Sequence, residues 1–375
     1  MSKDFLLQYE PQIQQEDIAS VNEYMASGGF ITEFKKTKEF ENLIADYCGC
    51  TDSIIFPNGT LTLYSILKAL NIGEDDKVIV PNYTMAATPF SVLETGAEVI
   101  FSDVEWPSLC LNLDGVKEAI EIYGSSISAL MFVSANGRNP SYKIEDLSEL
   151  CIKNNILMIE DSAQALGSYF ENGQHIGSIG VAGSISFSMP KIITTGQGGA
   201  VISSNKELVN NLRTYKDFGR SSGAGTDFHD SVGLNMKFTD LQAVLGISQL
   251  NRIENIKSKK KENFRFLEDN LDSQYIKLIP NNLEFTTPWF YEISTTYRDE
   301  LRIYLKSKGI GSRNMYPELN KQKAFKNHFQ ANNNFPFSSR ISETGLWLPS
   351  HPKLNLYDMN RIIDALNSFI PSNFQ

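Results

Sequence analysis

The sequence predicts an α/β protein with a mainly parallel central sheet in a large domain and a smaller C-terminal α+β domain. Three observations carry this. From about residue 40 to 205, short apolar runs alternate with amphipathic stretches, as strands exchanging with helices do. One run, Ile156-Leu157-Met158-Ile159, is apolar without interruption, as expected of a strand buried on both faces. After about residue 205 the chain turns more helical, and the last ~100 residues mix short strands with helices. We expect the large domain, with an N-terminal arm, over 1–255 and the small one over 256–375.

In chain order, Ser53-Ile54-Ile55-Phe56 is a compact strand that stops at Pro57-Asn58-Gly59. Leu63, Ile66, Leu67 and Leu70 then recur at helical spacing. Strands are expected at Lys77–Val80, closed by Pro81, at Ala97–Phe101 and at Ala129–Val133. A helix through Ile144, Leu147 and Cys151 leads to the buried strand. Ser184–Phe187 and Ala200–Ile202 end the series. Leu241, Val244 and Leu245 mark a helix expected to run on past Leu250. Four lysines between Lys257 and Lys261 read as a solvated helix face or an anion patch. Residues 331–335 read as a surface loop.

Composition limits the function. Hydrophobic residues make up 41% of 375, enough for a sizeable core and too many for a disordered chain. With 34 Lys+Arg against 44 Asp+Glu, the formal net charge is −10. Such a chain is a poor general nucleic-acid binder, because phosphate neutralisation needs a basic surface. The four cysteines, Cys48, Cys50, Cys110 and Cys151, form neither a zinc pattern nor a disulfide framework. His175, His229, His328 and His351 lack metal-ligand spacing, so no metal site is expected. The start Met1-Ser2-Lys3-Asp4 lacks a signal-peptide core, and no run reaches ~18 apolar residues. A cytoplasmic protein without a membrane segment is the expectation.

Three places could carry chemistry. Phe56-Pro57-Asn58-Gly59-Thr60 runs from strand to helix. It reads as a plain N-cap, or as free N–H groups offered to an anion. Glu160-Asp161-Ser162-Ala163-Gln164 puts carboxylates at the carboxyl end of a buried strand, where α/β sheets place ligands. Asp161 could instead cap a helix. Lys191 follows a strand and Pro190, ahead of the turn Gly196-Gln197-Gly198-Gly199. A lysine held beside the acidic strand end could form a Schiff base with a carbonyl.

In this order, phosphate turn, acid and lysine resemble the fold type I pyridoxal 5′-phosphate (PLP) enzymes, and more narrowly the DegT/DnrJ/EryC1/StrS sugar aminotransferases. The resemblance spans nearly the whole chain. Tyr9-Glu10-Pro11 and Ser27–Phe34 resemble that family's start. Asn58-Gly59-Thr60 resembles its S-G-T turn, and Pro81-Asn82-Tyr83-Thr84 its P-x-x-T strand exit. Residues 160–164 match its E-D-x-A-[QH]. Lys191 matches the lysine of F-S-F-x-x-x-K-x-[IL]-x-[TS]-G-[EQ]-G-G. Gly233-Leu234-Asn235-Met236-Lys237 opens a match to G-x-N-x-[RK]-x-[TS]-[DE]-x-[QN]-A, and Arg313–Pro317 matches R-x-x-Y-P. Two positions depart. Met85 stands where the family has an aromatic that stacks on the cofactor ring, and Ser134-Ala135-Asn136-Gly137 replaces H-x-Y-G.

The resemblance implies roles. Lys191 would carry PLP, and Asp161 would hold the pyridine nitrogen protonated. Gln164 would bond the ring hydroxyl, with Ala163 and Met85 against the ring faces. Gly59, Thr60, Leu61 and Ser186 would bind the phosphate. Asn235 would reach it from a second subunit, which makes a homodimer with shared active sites. Lys237, Arg313, Tyr316 and His351 would lie near substrate. Some relatives carry histidine at the Lys191 position and are dehydratases, so the lysine favours transamination. The implied function is transfer of an amino group from L-glutamate to a keto-sugar nucleotide, as in perosamine-synthase-like members. A GDP-linked 4-keto-6-deoxy sugar, destined for surface polysaccharide, is the expected acceptor. The alternatives are another phosphorylated ketone, and a non-catalytic PLP-binding regulator on the same fold.

Overall fold

The computed structural model describes residues 5–221, 225, 227–326 and 334–374. His328 and residues 331–333 of the expected loop lie outside them. Every expected strand of the large domain is present. They are β1 (Asp52–Phe56), β2 (Lys77–Pro81), β3 (Glu98–Ser102), β4 (Ile127–Val133), β5 (Leu157–Asp161), β6 (Ala182–Ser186) and β7 (Gly199–Ser203). They form one sheet in the order β1-β7-β6-β5-β4-β2-β3. Neighbours from β3 through β6 pair in parallel, while β7 runs antiparallel to both β6 and β1.

Alternation along each strand divides the apolar residues between two faces. Phe56, Val80, Phe101, Met131 and Ile159 pack with Leu63 and Ile66 of α3 (Gly59–Ala69) and Leu212 of α7 (Lys206–Lys216). Ile79, Ile100, Leu130, Phe132 and Met158 pack on the other face with Val116 of α5 (Leu113–Tyr123) and Leu147 of α6 (Ile144–Lys153). Helices on both faces bury the strands twice over, which is why they read as continuous apolar runs. Gly199 is constrained by its neighbour strand. A Cβ there would lie 2.8 Å from the backbone C of Asn58 and N of Gly59, so only glycine lets β7 pass the β1–α3 turn.

The helix expected past Leu250 is two helices, α8 (Asp240–Leu250) and α9 (Ile253–Asn270). Arg252 breaks the run at φ −120°, ψ 17°. Its guanidinium is drawn to the buried Asp17 of α1 (Gln15–Ala26) and to the Gln12 carbonyl. The lysine run is also corrected. Lys257 and Lys260 are buried, and Lys260 donates to the Ser350 carbonyl.

A second sheet is antiparallel throughout, in the order β10 (Arg313–Asn314), β11 (Gly345–Leu348), β9 (Tyr291–Ser294), β8 (Lys277–Leu278). Its core joins Ile293 and Leu346 to Phe264 and Leu267 of α9, Leu301 of α10 (Arg298–Ser307) and Ile362 of α12 (Leu356–Asn367). The expected boundary at residue 255 falls inside α9: Ile253 and Ile256 pack with the large sheet, Phe264 and Leu267 with the small one. Leu6 bridges to Ile310, so the arm begins against the small core. Among the described residues, no helix is long and apolar enough to cross a membrane.

The two cores meet at a buried ion pair. Arg138 Nη1 lies 2.6 Å from Glu292 Oε2, each side chain 4% exposed. Arg138 also donates to the Pro280 carbonyl at 2.9 Å, and Glu292 accepts the Trp347 indole N–H at 2.7 Å. Replacing Arg138 by methionine strands the Glu292 charge and is expected to cost about 3–5 kcal/mol in urea unfolding. A loss below about 1 kcal/mol would show that the pair does not hold the two cores together.

Candidate active site

A cavity of about 370 Å³ opens at the carboxyl ends of β5 and β6, beside the β1–α3 turn and under the small sheet. Its first wall is the start of α3. Asn58 caps the helix: its Oδ1 accepts the Leu61 N–H at 3.0 Å, and its carbonyl accepts the Thr62 N–H at 3.2 Å. Gly59 and Thr60 line the cavity, and among the described residues their N–H groups have no protein acceptor. Ser186 stands close to Gly59, where an added Cβ would lie 3.3 Å from its Oγ. The turn is thus an N-cap and an anion cradle together. Leu61 leaves the expected set, because its N–H is spent on the cap and it does not line the cavity.

The second wall is Asp161. Its neighbour Glu160 points away and accepts three backbone N–H groups, from Gly177, Ile179 and Gly180, each at 2.7 Å. Period-two alternation therefore splits the two carboxylates. Asp161 does not cap a helix, since turns follow it. Its Oδ2 accepts the Thr88 hydroxyl at 2.7 Å and its Oδ1 the Ala163 N–H at 3.2 Å. Burial pushes the carboxyl up, against the pull of Thr88, Ala163 and the Lys191 charge. Thr88 in turn meets the Thr84 hydroxyl at 3.1 Å. Nothing in the sequence marked Thr88, which acts across 73 positions.

Lys191 sits in the loop between β6 and β7. Its N–H donates to Ser188 O at 3.0 Å, and its carbonyl accepts the Tyr9 hydroxyl at 3.0 Å. Burial pulls its ammonium down to about 8, and the Asp161 charge works the other way. Gln164 turns its Oε1 to the Asn136 N–H at 2.6 Å, which leaves its NH₂ to donate elsewhere. Ala163, Gln164, Ser186, Met85, Arg313 and Tyr316 all line the cavity. Met85 is 50% exposed. The Arg313 guanidinium lies 5.3 Å from the Trp347 ring and has no carboxylate partner among the described residues.

Besides Leu61, three expected residues lie outside this lining. Asn235 is exposed, bridged to Asp217. Lys237 pairs with Asp217 at 2.8 Å. His351 is buried outside the cavity, and burial lowers it to about 4, so it is neutral. Among the described residues, no group of three or more His, Cys, Asp or Glu could hold a metal. A wider groove of about 630 Å³ beside α6 carries Glu145, Asp146, Glu149 and Glu171. It lacks the convergence of buried acid, low-pKa lysine and free helix N–H groups that marks the smaller cavity.

The sequence profile of the DegT/DnrJ/EryC1/StrS aminotransferase family matches residues 11–367. The chain belongs to that family. This aminotransferase is 28% identical to GDP-perosamine synthase of Vibrio cholerae, over 96% of this chain and 98% of that protein. It is also 28% identical to dTDP-3-amino-3,6-dideoxy-alpha-D-galactopyranose transaminase of Aneurinibacillus thermoaerophilus, over 97% and 96%. A crystal structure of a family aminotransferase from Brucella abortus superposes with a TM-score of 0.87 at 27% identity, covering 94% of each chain. Fold and family thus agree with the reading of the sequence.

Asp161 supports the charged form of Lys191. In the cofactor-free Asp161→Asn protein, the pH midpoint for chemical labelling of Lys191 should fall below about 8. Peptide mass spectrometry of labelling rates checks this; a midpoint that stays or rises would contradict the pairing.

Proposed function

We propose that this aminotransferase uses PLP to move an amino group from L-glutamate to a keto-sugar nucleotide, a GDP-linked 4-keto-6-deoxy sugar of surface-polysaccharide synthesis. The observation that carries the reading is the buried Asp161 facing one cavity with the low-pKa Lys191. A buried carboxyl with lone pairs to spare favours a cationic partner, which a protonated pyridine nitrogen supplies. The free Gly59 and Thr60 N–H groups and the Ser186 hydroxyl suit a phosphate. The residues therefore fit PLP. When bound, PLP supplies an electron sink for charge that develops at the donor's α-carbon.

The chain's own residues do the rest. Asp161 keeps the ring nitrogen protonated, held in place by Thr88 and the Ala163 N–H. Gln164 donates its NH₂ to the ring hydroxyl, its orientation set by the Asn136 N–H. The Lys191 amine takes a proton from the donor carbon and returns one along the same path. A pKa pulled toward neutrality suits both duties. Arg313 and Tyr316, on the small-sheet side, face the substrate. The names of its relatives support a nucleotide-sugar acceptor, and the GDP-perosamine synthases of three organisms among them favour the GDP-linked sugar.

We read the working unit as a homodimer. Phe30, Ile31 and Phe34 are exposed, and so are Phe218, Val232 and Leu234. The two segments are tied by the Glu33–Lys216 pair at 2.6 Å and by the Thr32–Thr239 bridge. An apolar surface of this kind marks an interface. Asn235, next to Leu234, is exposed too, and in this reading it serves a second copy's phosphate cradle.

Two experiments test this. A panel of keto-sugar nucleotides and keto-phosphates should show glutamate-dependent amination, fastest with the GDP-linked 4-keto-6-deoxy sugar, and none with Lys191→Ala. Amination of small keto-phosphates alone would overturn the substrate, and no turnover at all would favour a regulator. Mixing inactive Lys191→Ala and Asn235→Ala proteins should restore part of the activity, because a mixed dimer has one intact site. No recovery despite proven subunit exchange would rule out the shared site.

A further inference from the structure

The loop that carries Lys191 is also held by Trp289, which no family motif above contains. Trp289 comes from the segment just before β9 and is 4% exposed. Its ring lies under the Lys191 amine, with Nζ 4.1 Å from the centroid. Its indole N–H donates to the Pro190 carbonyl at 2.6 Å, one peptide before the lysine. A single side chain therefore grips both ends of the lysine, backbone and amine.

Trp289 is itself fixed. Its ring stacks on Phe290 at 3.9 Å and 25°, and meets Trp347 edge-on at 5.8 Å. Asn136 clamps the adjacent backbone: its Oδ1 accepts the Phe290 N–H at 2.6 Å, and its Nδ2 donates to the Phe290 carbonyl at 3.0 Å. Asn136 has φ +57°, a left-handed conformation that asparagine tolerates better than most residues. Its own N–H orients Gln164. Ser134-Ala135-Asn136-Gly137, the segment that departs from H-x-Y-G, thus holds Trp289 and Gln164 together.

We propose that Trp289 is the positioning residue of Lys191: its ring face seats the ammonium whenever the amine is free, and its indole N–H fixes the peptide beneath it. An aromatic face attracts a cation, and more strongly where water is excluded. The ring therefore favours the charged amine, as Asp161 does, while burial opposes it. The amine that has taken a proton then waits over Trp289 instead of leaving the site. This rests on Lys191 being the reactive lysine, which peptide mapping of the reduced cofactor tests independently.

The test uses the full chain loaded with pyridoxamine 5′-phosphate, a form in which the lysine is not covalently engaged. The readout is the pH dependence of reductive methylation at Lys191, followed by peptide mass spectrometry. Trp289→Phe keeps a ring and should keep the midpoint within a few tenths of a pH unit, whereas Trp289→Leu should lower it by about one unit. Should the leucine protein fail to fold, protein grown on a fluorinated tryptophan keeps the shape and weakens the ring face. Its midpoint should fall in the otherwise unaltered chain and stay put in Trp289→Phe. An unmoved or raised midpoint in Trp289→Leu would overturn the proposal. So would an equal effect of fluorination with and without Trp289, since Trp106 and Trp347 would then be its source.

Discussion

The structure turns on one constraint: a carboxylate buried at the end of β5 must find partners or lose its charge. Asp161 is 5% exposed, and burial pushes its carboxyl toward the neutral form. The Thr88 hydroxyl, the Ala163 N–H and the Lys191 charge each offset part of that cost. Each partner arrives from a different element. Thr88 belongs to α4 (Ala87–Leu93), Ala163 to the turn after β5, and Lys191 to the β6–β7 loop. The parallel order β2-β4-β5-β6 brings those strand exits to one edge of the sheet, so the sheet topology and the chemistry are one arrangement.

The small sheet completes the site more than it encloses it. Its strand ends supply Arg313, and the approach to β9 supplies Trp289. The joint is strong where it has to be. Arg138 and Glu292 pair out of water, and the aromatic cluster around Trp289, Phe290 and Trp347 fills the space next to them. Tyr9 adds a strap from the arm, which starts on the small core at Leu6 and reaches the Lys191 carbonyl. A lysine on an unsupported loop would wander. This one is tied by Tyr9, by Trp289 and by its own turn at Ser188, which holds the amine in one place.

Much of this was legible in the sequence, and the reasons are physical. Strands buried on both faces are mostly apolar, so β2 to β5 stand out by composition, whereas β6, Ala182-Gly183-Ser184-Ile185-Ser186, is legible more from its place in the alternation. Asp161 and Lys191 stand out because each follows such a strand. Long-range partners were not legible. Thr88 and Trp289 carry no local signal, and the motif that holds Tyr9 did not reveal its partner, because these roles depend on contacts across 73, 99 and 182 positions. The break between α8 and α9 was hidden for the same reason: Arg252 answers to Asp17, at the far end of the chain. Lys260 misled by composition, since its charge suggested solvent while its place on α9 faces the core. Leu61 shows the opposite limit, where a motif position was assigned to the phosphate although the cap uses its N–H.

The central claim is that Lys191 is the amine that takes the cofactor. The chain contains a chemical rival, because burial pulls the Lys260 ammonium down to about 7. Borohydride reduction of the PLP-loaded protein, followed by peptide mapping, separates them. The account predicts a yellow protein whose reduced cofactor is found on the peptide containing Lys191. Label on Lys260, or spread over surface lysines with Lys191 unmodified, would contradict it.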